Sequence, residues 1–395
     1  MSGSERADVV IVGGAIIGSS VATFLAGRPD FDGRIVVVER DTTFRTSSTT
    51  LSAASIRLQF STPLNVQISQ FGVEFLKSLD RYLAVDGEVP EIDLVENGYL
   101  FLATEAGRST LEHNHRVQRE LGVPVELLSP SELKTRFKWL RTDDLAAASL
   151  GLAGEGWFDA YALLQGMRRK ARSLGVEERV GEAVEIVLDG DRVAGVRLAD
   201  GSTIEAGWVV NAAGPRAAEV AGMAGVDLPV RPRKRTVFHL ESPVSLGAAP
   251  LTIDPTGVYF RPEGPSYVSG WSPRDGDPDP DTLDLIVDRA PFESLIWPTL
   301  AHRVPAFDQL RLLDAWAGHY EVNTLDHNAI VGPHPRLTNF ILANGFSGHG
   351  LQQAPAVGRG LAEWIATGHY ETLDLSPLGY ERIERNEPIR ELAVI

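Results

Sequence analysis

Cysteine is absent from all 395 residues. With it go disulfides, thiolate zinc sites and iron–sulfur clusters. No window approaches the ~18 consecutive apolar residues of a membrane-spanning helix. The seven residues before Asp8 lack the basic, apolar, cleavable layout of a secretory signal. Both absences lead to the expectation of a cytoplasmic protein with no transmembrane segment. Positive charge is scarce, with 37 Lys and Arg against 53 Asp and Glu, a net charge of −16 and a pI near 5.0. Phosphate backbones demand clustered cations, so nucleic acid is excluded as a partner, and the charge mainly reports solubility. Nine histidines remain, yet His113 and His115 stand two apart and face different sides of a helix, so no metal site is expected. Gly345-Phe346-Ser347-Gly348-His349 lacks the final glycine of a nucleophile elbow, which argues against a serine hydrolase.

What is present begins with residues 8–26, DVVIVGGAIIGSSVATFLA. Residues 9–12 read as a buried parallel strand, and 16–25 carry apolar and small residues at helical spacing. Between them Gly13, Ala15 and Gly18 hold the G-x-G-x-x-G positions, with Ala15 replacing the middle glycine. Strand, tight turn and helix together offer unpaired N–H groups and a positive dipole end to a pyrophosphate. A second buried strand, 34–39, ends in Glu39, 21 positions after Gly18, where a carboxylate accepts from an adenosine ribose. An acid there, followed by Arg40, suits an unphosphorylated ribose, hence FAD or NAD before NADP. A chain of this length implies two domains, or a nucleotide domain with a second inserted into it.

Residues 41–55 are dense in Ser and Thr but lie between a core strand and the helical pattern 66–79, which favours an ordered loop that binds a polar ligand. Arg57, flanked by Ile56 and Leu58, either snorkels or holds an anion. Residues 94–103 read as a strand, 107–121 and 130–137 as helices, and the block from about 90 to 148 as the start of an inserted domain. A helix over 161–174 closes at Gly175, and hairpin turns are expected at Asp189-Gly190-Asp191 and Asp200-Gly201. The strand 208–210 runs into Ala213-Gly214, where bare backbone approaches something flat or anionic. The run Arg231–Arg235 reads as a solvated basic cluster. Strands are expected at 237–241, 257–261, 267–271 and 314–320, and a helix at 291–304 broken at Pro298. Finally, strand 340–343, the turn Gly345–Gly350 and a helix from 351 to about 367 repeat the strand, glycine turn and helix arrangement, which can stabilise negative charge on a reduced flavin.

The separated motifs VVIVGGAIIG, VVVER, YLFLA, VVNAAGP, GVYFRPEG and GFSGHG, in this order, resemble the D-amino-acid-oxidase-like flavoproteins, among them monomeric sarcosine oxidase, glycine oxidase and dimethylglycine dehydrogenase. The C-terminal half reads nearest to a mitochondrial branch of that family associated with respiratory complex I assembly. The resemblance implies an α/β fold with a Rossmann-type, glutathione-reductase-like FAD-binding domain (1–89, 149–230 and 322–395). Inserted into it would be an antiparallel-sheet α+β substrate domain (90–148 and 231–321). It also implies FAD, which is expected to be noncovalent because the chain has no cysteine to link it. Gly13, Ala15, Ile16, Ile17 and Gly18 would hold the pyrophosphate, Glu39 with Arg40 the ribose, and Ser47, Ser48, Thr49 and Ser52 would lie beside the flavin. Val180 would meet the adenine through its backbone, and Ala213 and Gly214 would run along the cofactor. Gly345, Phe346, Ser347, Gly348, His349, Gly350, Leu351 and Gln352 would hold the ring.

Candidate catalytic groups are Arg57, where sarcosine-oxidase-like enzymes place a substrate-carboxylate arginine, Tyr259 and Tyr320 on pocket strands, His319, and Gln352. Tyr259 and Tyr320 also suit plain strand packing, and Gln352 a helix start. Three departures stand out. Gly318 falls where sarcosine oxidases carry the flavin-linked cysteine, Gln352 replaces a carboxylate-binding lysine, and strand 267–271 offers Val268 where an oxygen-activating lysine would stand. The reaction implied is oxidation of the C–N bond of an amino acid or N-substituted amino acid by hydride transfer to flavin N5. Electrons would pass on to oxygen, or to a quinone or another flavoprotein. A 2-hydroxy-acid dehydrogenase, and a flavoprotein acting mainly as an assembly or interaction factor, remain alternatives.

Overall fold

The computed structural model describes residues 5–273 and 276–392, so 1–4, 274–275 and 393–395 of the expected domains lie outside the described residues. Two large sheets organise the chain. The first runs Ile330–Pro333, Phe340–Asn344, Thr203–Asn211, Glu5–Val12, Ile35–Glu39, Glu177–Val180, with Arg192–Leu198 attached to Thr203–Asn211 and Ala183–Asp189 attached in turn to Arg192–Leu198. Its centre is parallel: Glu5–Val12 pairs with Thr203–Asn211 on one side and Ile35–Glu39 on the other. Buried on both faces, Val9, Val10 and Ile11 form the unbroken apolar run such a strand requires. The hairpins at Gly190 and Gly201 form as expected, both glycines having positive φ.

Helix Ile16–Ala26 leaves the first strand and lies against helix Gly350–Thr367, close enough for the Ser20 hydroxyl to donate to the Ala354 carbonyl at 2.7 Å. A Cβ at Gly358 would sit 2.2 Å from that hydroxyl, so glycine is needed at the crossing. The two glycine-led helices therefore start side by side at the strand ends, although one comes from each end of the chain.

The second sheet runs Arg311–Asn323, Val230–Glu241, Ser266–Gly270, Tyr259–Glu263, Leu251–Ile253, Tyr99–Ala103, Ala147–Gly151, Val125–Leu128. All its pairs are antiparallel except Leu251–Ile253 with Tyr99–Ala103. The expected division at 148/149 falls inside strand Ala147–Gly151.

Several expectations are corrected. The strand read at 94–103 forms only over Tyr99–Ala103, because Gly98 takes φ +84°. The helix at 291–304 runs without a break through a π turn, Phe292–Ile296, into Trp297–Arg303, and Pro298, which has no N–H to give the ladder, sits just where π spacing passes to α. The basic run is not a solvated cluster. It lies in the 12-residue strand Val230–Glu241, with Arg235 bidentate to Asp279, Arg233 on Asp281 and Lys234 on Asp284. Among the described residues no helix is long and apolar enough to cross a membrane.

Candidate functional site

A cavity of about 1640 Å³ of space between protein atoms, its open mouth included, runs along the ends of the first sheet. The turn 13–17, the Ser/Thr loop and residues 212–216 wall it, with Gly318–Glu321 and Gly348–Leu351 at the far end. Of the expected cofactor set, Gly13, Ala15, Ile16, Ile17, Glu39, Arg40, Ser47, Ser48, Thr49, Ser52, Ala213, Gly214, Gly318, Phe346, Gly348, Gly350 and Leu351 are brought together on this wall.

Others stand behind it. Gly18 packs under the turn. Val180 is 63% exposed at the end of its strand, and Gly181, Glu182 and Ala183 line the cavity in its place. Gly345 and Ser347 shape the second turn with φ of +71° and +51°. Ser347 donates its N–H to the Glu321 carbonyl and accepts the Asn323 N–H on its hydroxyl, each at 3.0 Å. Sequence reasoning missed the wall formed by Arg216, Glu219, Val220 and Met223, together with Arg235 and Glu321. Burial pushes the Glu321 carboxyl up to about 8, against an N–H from Gly345 at 3.2 Å.

The cavity has the chemistry of a dinucleotide site. Neither helix carries a cap from its own N-cap side chain or an acid in its first turn, and the side chain that meets the first helix start is the neutral Thr49 hydroxyl, which accepts the Ile16 N–H at 3.3 Å. Helix Pro130–Arg136, away from the cavity, is by contrast closed by a Ser129–Glu132 capping box. Ser48 Oγ is buried with no hydrogen-bond partner among the described residues, a donor and acceptor left for a ligand. Glu39 takes the Gly14 N–H on one oxygen at 2.9 Å and the Asp41 N–H on the other at 2.8 Å, tying the strand end to the glycine turn. Losing both contacts, Glu39→Ala is expected to weaken FAD binding by about 10-fold to 100-fold, read by flavin fluorescence titration of apoprotein.

A smaller chamber opens beside the first and shares Ser52, Ala53, Tyr259, Tyr320, Gly348 and Leu351 with it. Arg57, Tyr99, His349 and Gln352 complete its polar wall. Arg57 does not snorkel. It is 2% exposed, with its guanidinium carbon 4.4 Å from the centre of the Phe60 ring and 5.4 Å from that of Phe101. Its Nη2 donates to His349 Nε2 at 2.9 Å, so His349 carries its proton on Nδ1. Burial, reinforced by the Arg57 charge, pushes that imidazole down to about 3 and keeps it neutral.

Gln352 spends its side-chain carbonyl on the Arg57 N–H at 2.8 Å. Only its amide nitrogen is left for a ligand. Burial raises Tyr99 to about 12, and Tyr259 and Tyr320 are also raised, so all three rings stay neutral. His319 stands apart: it lines the larger cavity only and donates Nε2–H to the Asp284 carbonyl at 3.1 Å. The structure thus gathers Arg57, Tyr259, Tyr320 and Gln352 and leaves His319 outside. Among the described residues no lysine lines either chamber.

Comparison with known proteins agrees with this geometry. The family model described as FAD dependent oxidoreductase (DAO) matches residues 8–364. FAD-dependent oxidoreductase domain-containing protein 1 of Xenopus laevis is 43% identical, over 99% of this chain and 85% of that protein. The solved L-proline dehydrogenase of P. horikoshii superposes with a TM-score of 0.85 at 27% identity, covering 98% of this chain and 100% of that one. Glycine oxidase of Geobacillus kaustophilus gives 0.80 at 25% identity, covering 95% and 98%. With two acid-free helix starts, the strand-end acid Glu39 and an orphan hydroxyl all on one cavity, and with this family match, the chain belongs to the DAO family and is an FAD-dependent oxidoreductase.

Proposed function

We propose that the enzyme oxidises the carbon–nitrogen bond of an amino acid or N-substituted amino acid, removing hydride from the carbon next to nitrogen and leaving an imine that water hydrolyses. The observation that carries this reading is the buried Arg57 guanidinium on the wall of a tyrosine-lined chamber that opens into the cofactor cavity. Bound FAD supplies the hydride acceptor. Everything else is positioning by this chain. Arg57 takes the substrate carboxylate, and the neutral Tyr99, Tyr259 and Tyr320 rings exclude water around the amine. The Gln352 amide adds a donor without charge.

His319 has no role in this reading. In it the first sheet serves the cofactor. The second, including all of strand Ala147–Gly151, roofs the substrate. That solved relatives are a proline dehydrogenase and a glycine oxidase supports the amino-acid class.

Anaerobic titration with a panel of primary and secondary amino acids and 2-hydroxy acids tests it. Loss of the oxidised-flavin absorbance with at least one amino acid is expected. Bleaching by hydroxy acids alone, or by none of the panel, would overturn the reading.

A further inference from the structure

The segment that carries Arg57 is gripped by a buried acid outside the candidate set. Glu155 is 0% exposed. One of its oxygens accepts the Leu58 N–H at 2.6 Å and the Gln59 N–H at 3.0 Å, and the other accepts the Gln59 side-chain amide at 2.8 Å. Gly151 makes the room: a Cβ there would fall 1.7 Å from Oε2. Gln59 in turn donates to the Tyr99 carbonyl at 3.2 Å and accepts the Ser149 hydroxyl at 2.6 Å, which anchors the acid to two strands of the second sheet. With Gln352 holding the Arg57 N–H, three consecutive backbone donors, 57 to 59, are fixed by side chains.

We propose that Glu155 is a positioning residue for Arg57 and takes up a proton from solvent when a substrate carboxylate settles against Arg57, so that anion binding and Glu155 protonation are linked. This rests on the reading of Arg57 as the carboxylate site. Among the described residues, the charged and titratable groups that act on Arg57 include Glu155, Glu391, His349, Tyr99 and Tyr320. His349 and the tyrosines are neutral across the working range. Glu391 is fixed by the Ser61 and Thr62 N–H groups, the Ser61 hydroxyl and the Asn65 amide.

An incoming carboxylate adds a negative charge to a dry site that already holds acids against one guanidinium, and neutralising an acid is cheaper than burying the excess. Burial already lifts Glu155 to about 7, with Arg57 and the three donors pulling the other way.

The sign follows. Below about pH 7 Glu155 is protonated before binding and affinity is flat. Above it each bound anion brings one proton, so Kd rises up to tenfold per pH unit. Glu155→Gln imitates the protonated acid, binds at pH 8.5 up to about 30-fold more tightly than wild type, and shows no pH dependence. A purely structural acid would give weaker binding in that variant.

The test is calorimetry of holoenzyme with propionate at pH 8, in buffers of different ionisation enthalpy, on wild type, Glu155→Gln, Glu321→Gln and Arg57→Met. Uptake approaching one proton is expected in wild type and Glu321→Gln and near zero in Glu155→Gln, with binding lost in Arg57→Met. Zero uptake in wild type, or uptake abolished by Glu321→Gln instead, overturns the linkage while leaving Arg57 as the anion site. Unchanged binding in Arg57→Met overturns the underlying reading. Wild type with Glu321→Gln decides the matter if Glu155→Gln fails to fold.

Discussion

Arg57→Met is expected to lower kcat/KM for a carboxylate-bearing amine by about 100-fold to 10,000-fold, chiefly through KM. A guanidinium holding a carboxylate makes two charge-assisted hydrogen bonds in a dry chamber, and each is worth roughly 1.5–3 kcal/mol. Those bonds are present in ground and transition states alike, so their loss is uniform and falls on KM. Methionine is unbranched and apolar, so it can fill the space beside the Phe60 and Phe101 rings where the guanidinium lies. Arg57→Lys keeps the charge but not the planar fork and should fall between the two. The flavin absorbance of both variants should match wild type, since Arg57 does not line the larger cavity. Steady-state kinetics reads the effect, and a change within threefold in Arg57→Met would remove Arg57 from substrate binding.

Where local pattern decides structure, the sequence was legible. The first strand, the glycine turn, helix Ile16–Ala26 and strand Ile35–Glu39 form where expected, because a buried apolar run, a positive φ at Gly13 and helical spacing each act over a few residues. The second turn was equally readable, although Ser347 takes a left-handed φ that only tertiary bonds to Asn323 and Glu321 sustain.

Long-range pairing was harder to see. Strand Val230–Glu241 hides behind a basic run whose charges are matched by acids 44 to 50 positions away. Strand Ala147–Gly151 is small and glycine-bounded, with nothing in its composition to mark it. The same applies to the site. Arg57 and Gln352 were named as candidates from motifs, but the hydrogen bond between them spans 295 residues, and Glu155 reaches its partners across nearly 100. A buried acid defined by such contacts looks, in one dimension, like any exposed glutamate.

Gly18→Ala is expected to yield protein that purifies nearly colourless, with FAD affinity reduced at least about 100-fold. A Cβ at position 18 would lie 1.9 Å from the Gly13 carbonyl oxygen and 3.1 Å from Ile11 Cγ2. The first obstacle is backbone and cannot rotate away, so the turn 13–15 must lift from the helix start. On the proposal that this turn and the helix start behind it meet the pyrophosphate, displacing it removes hydrogen bonds and dipole together.

The neighbouring positions set the contrast. Ala15 already carries a methyl on the cavity wall, and a Cβ at Gly14 meets only side-chain atoms of Glu39 and Val37 at 3.2 Å. Gly222→Ala, with nothing within 4 Å, is the control and should bind FAD as wild type does. Loss of a tight ligand also removes its mass-action stabilisation, about 2.7 kcal/mol at a hundredfold excess over Kd, so the melting temperature should fall by several degrees in the presence of FAD. Apoprotein reconstitution followed by fluorescence and a thermal melt reads both effects. A yellow Gly18→Ala protein with wild-type affinity would mean that the turn is not where the pyrophosphate sits.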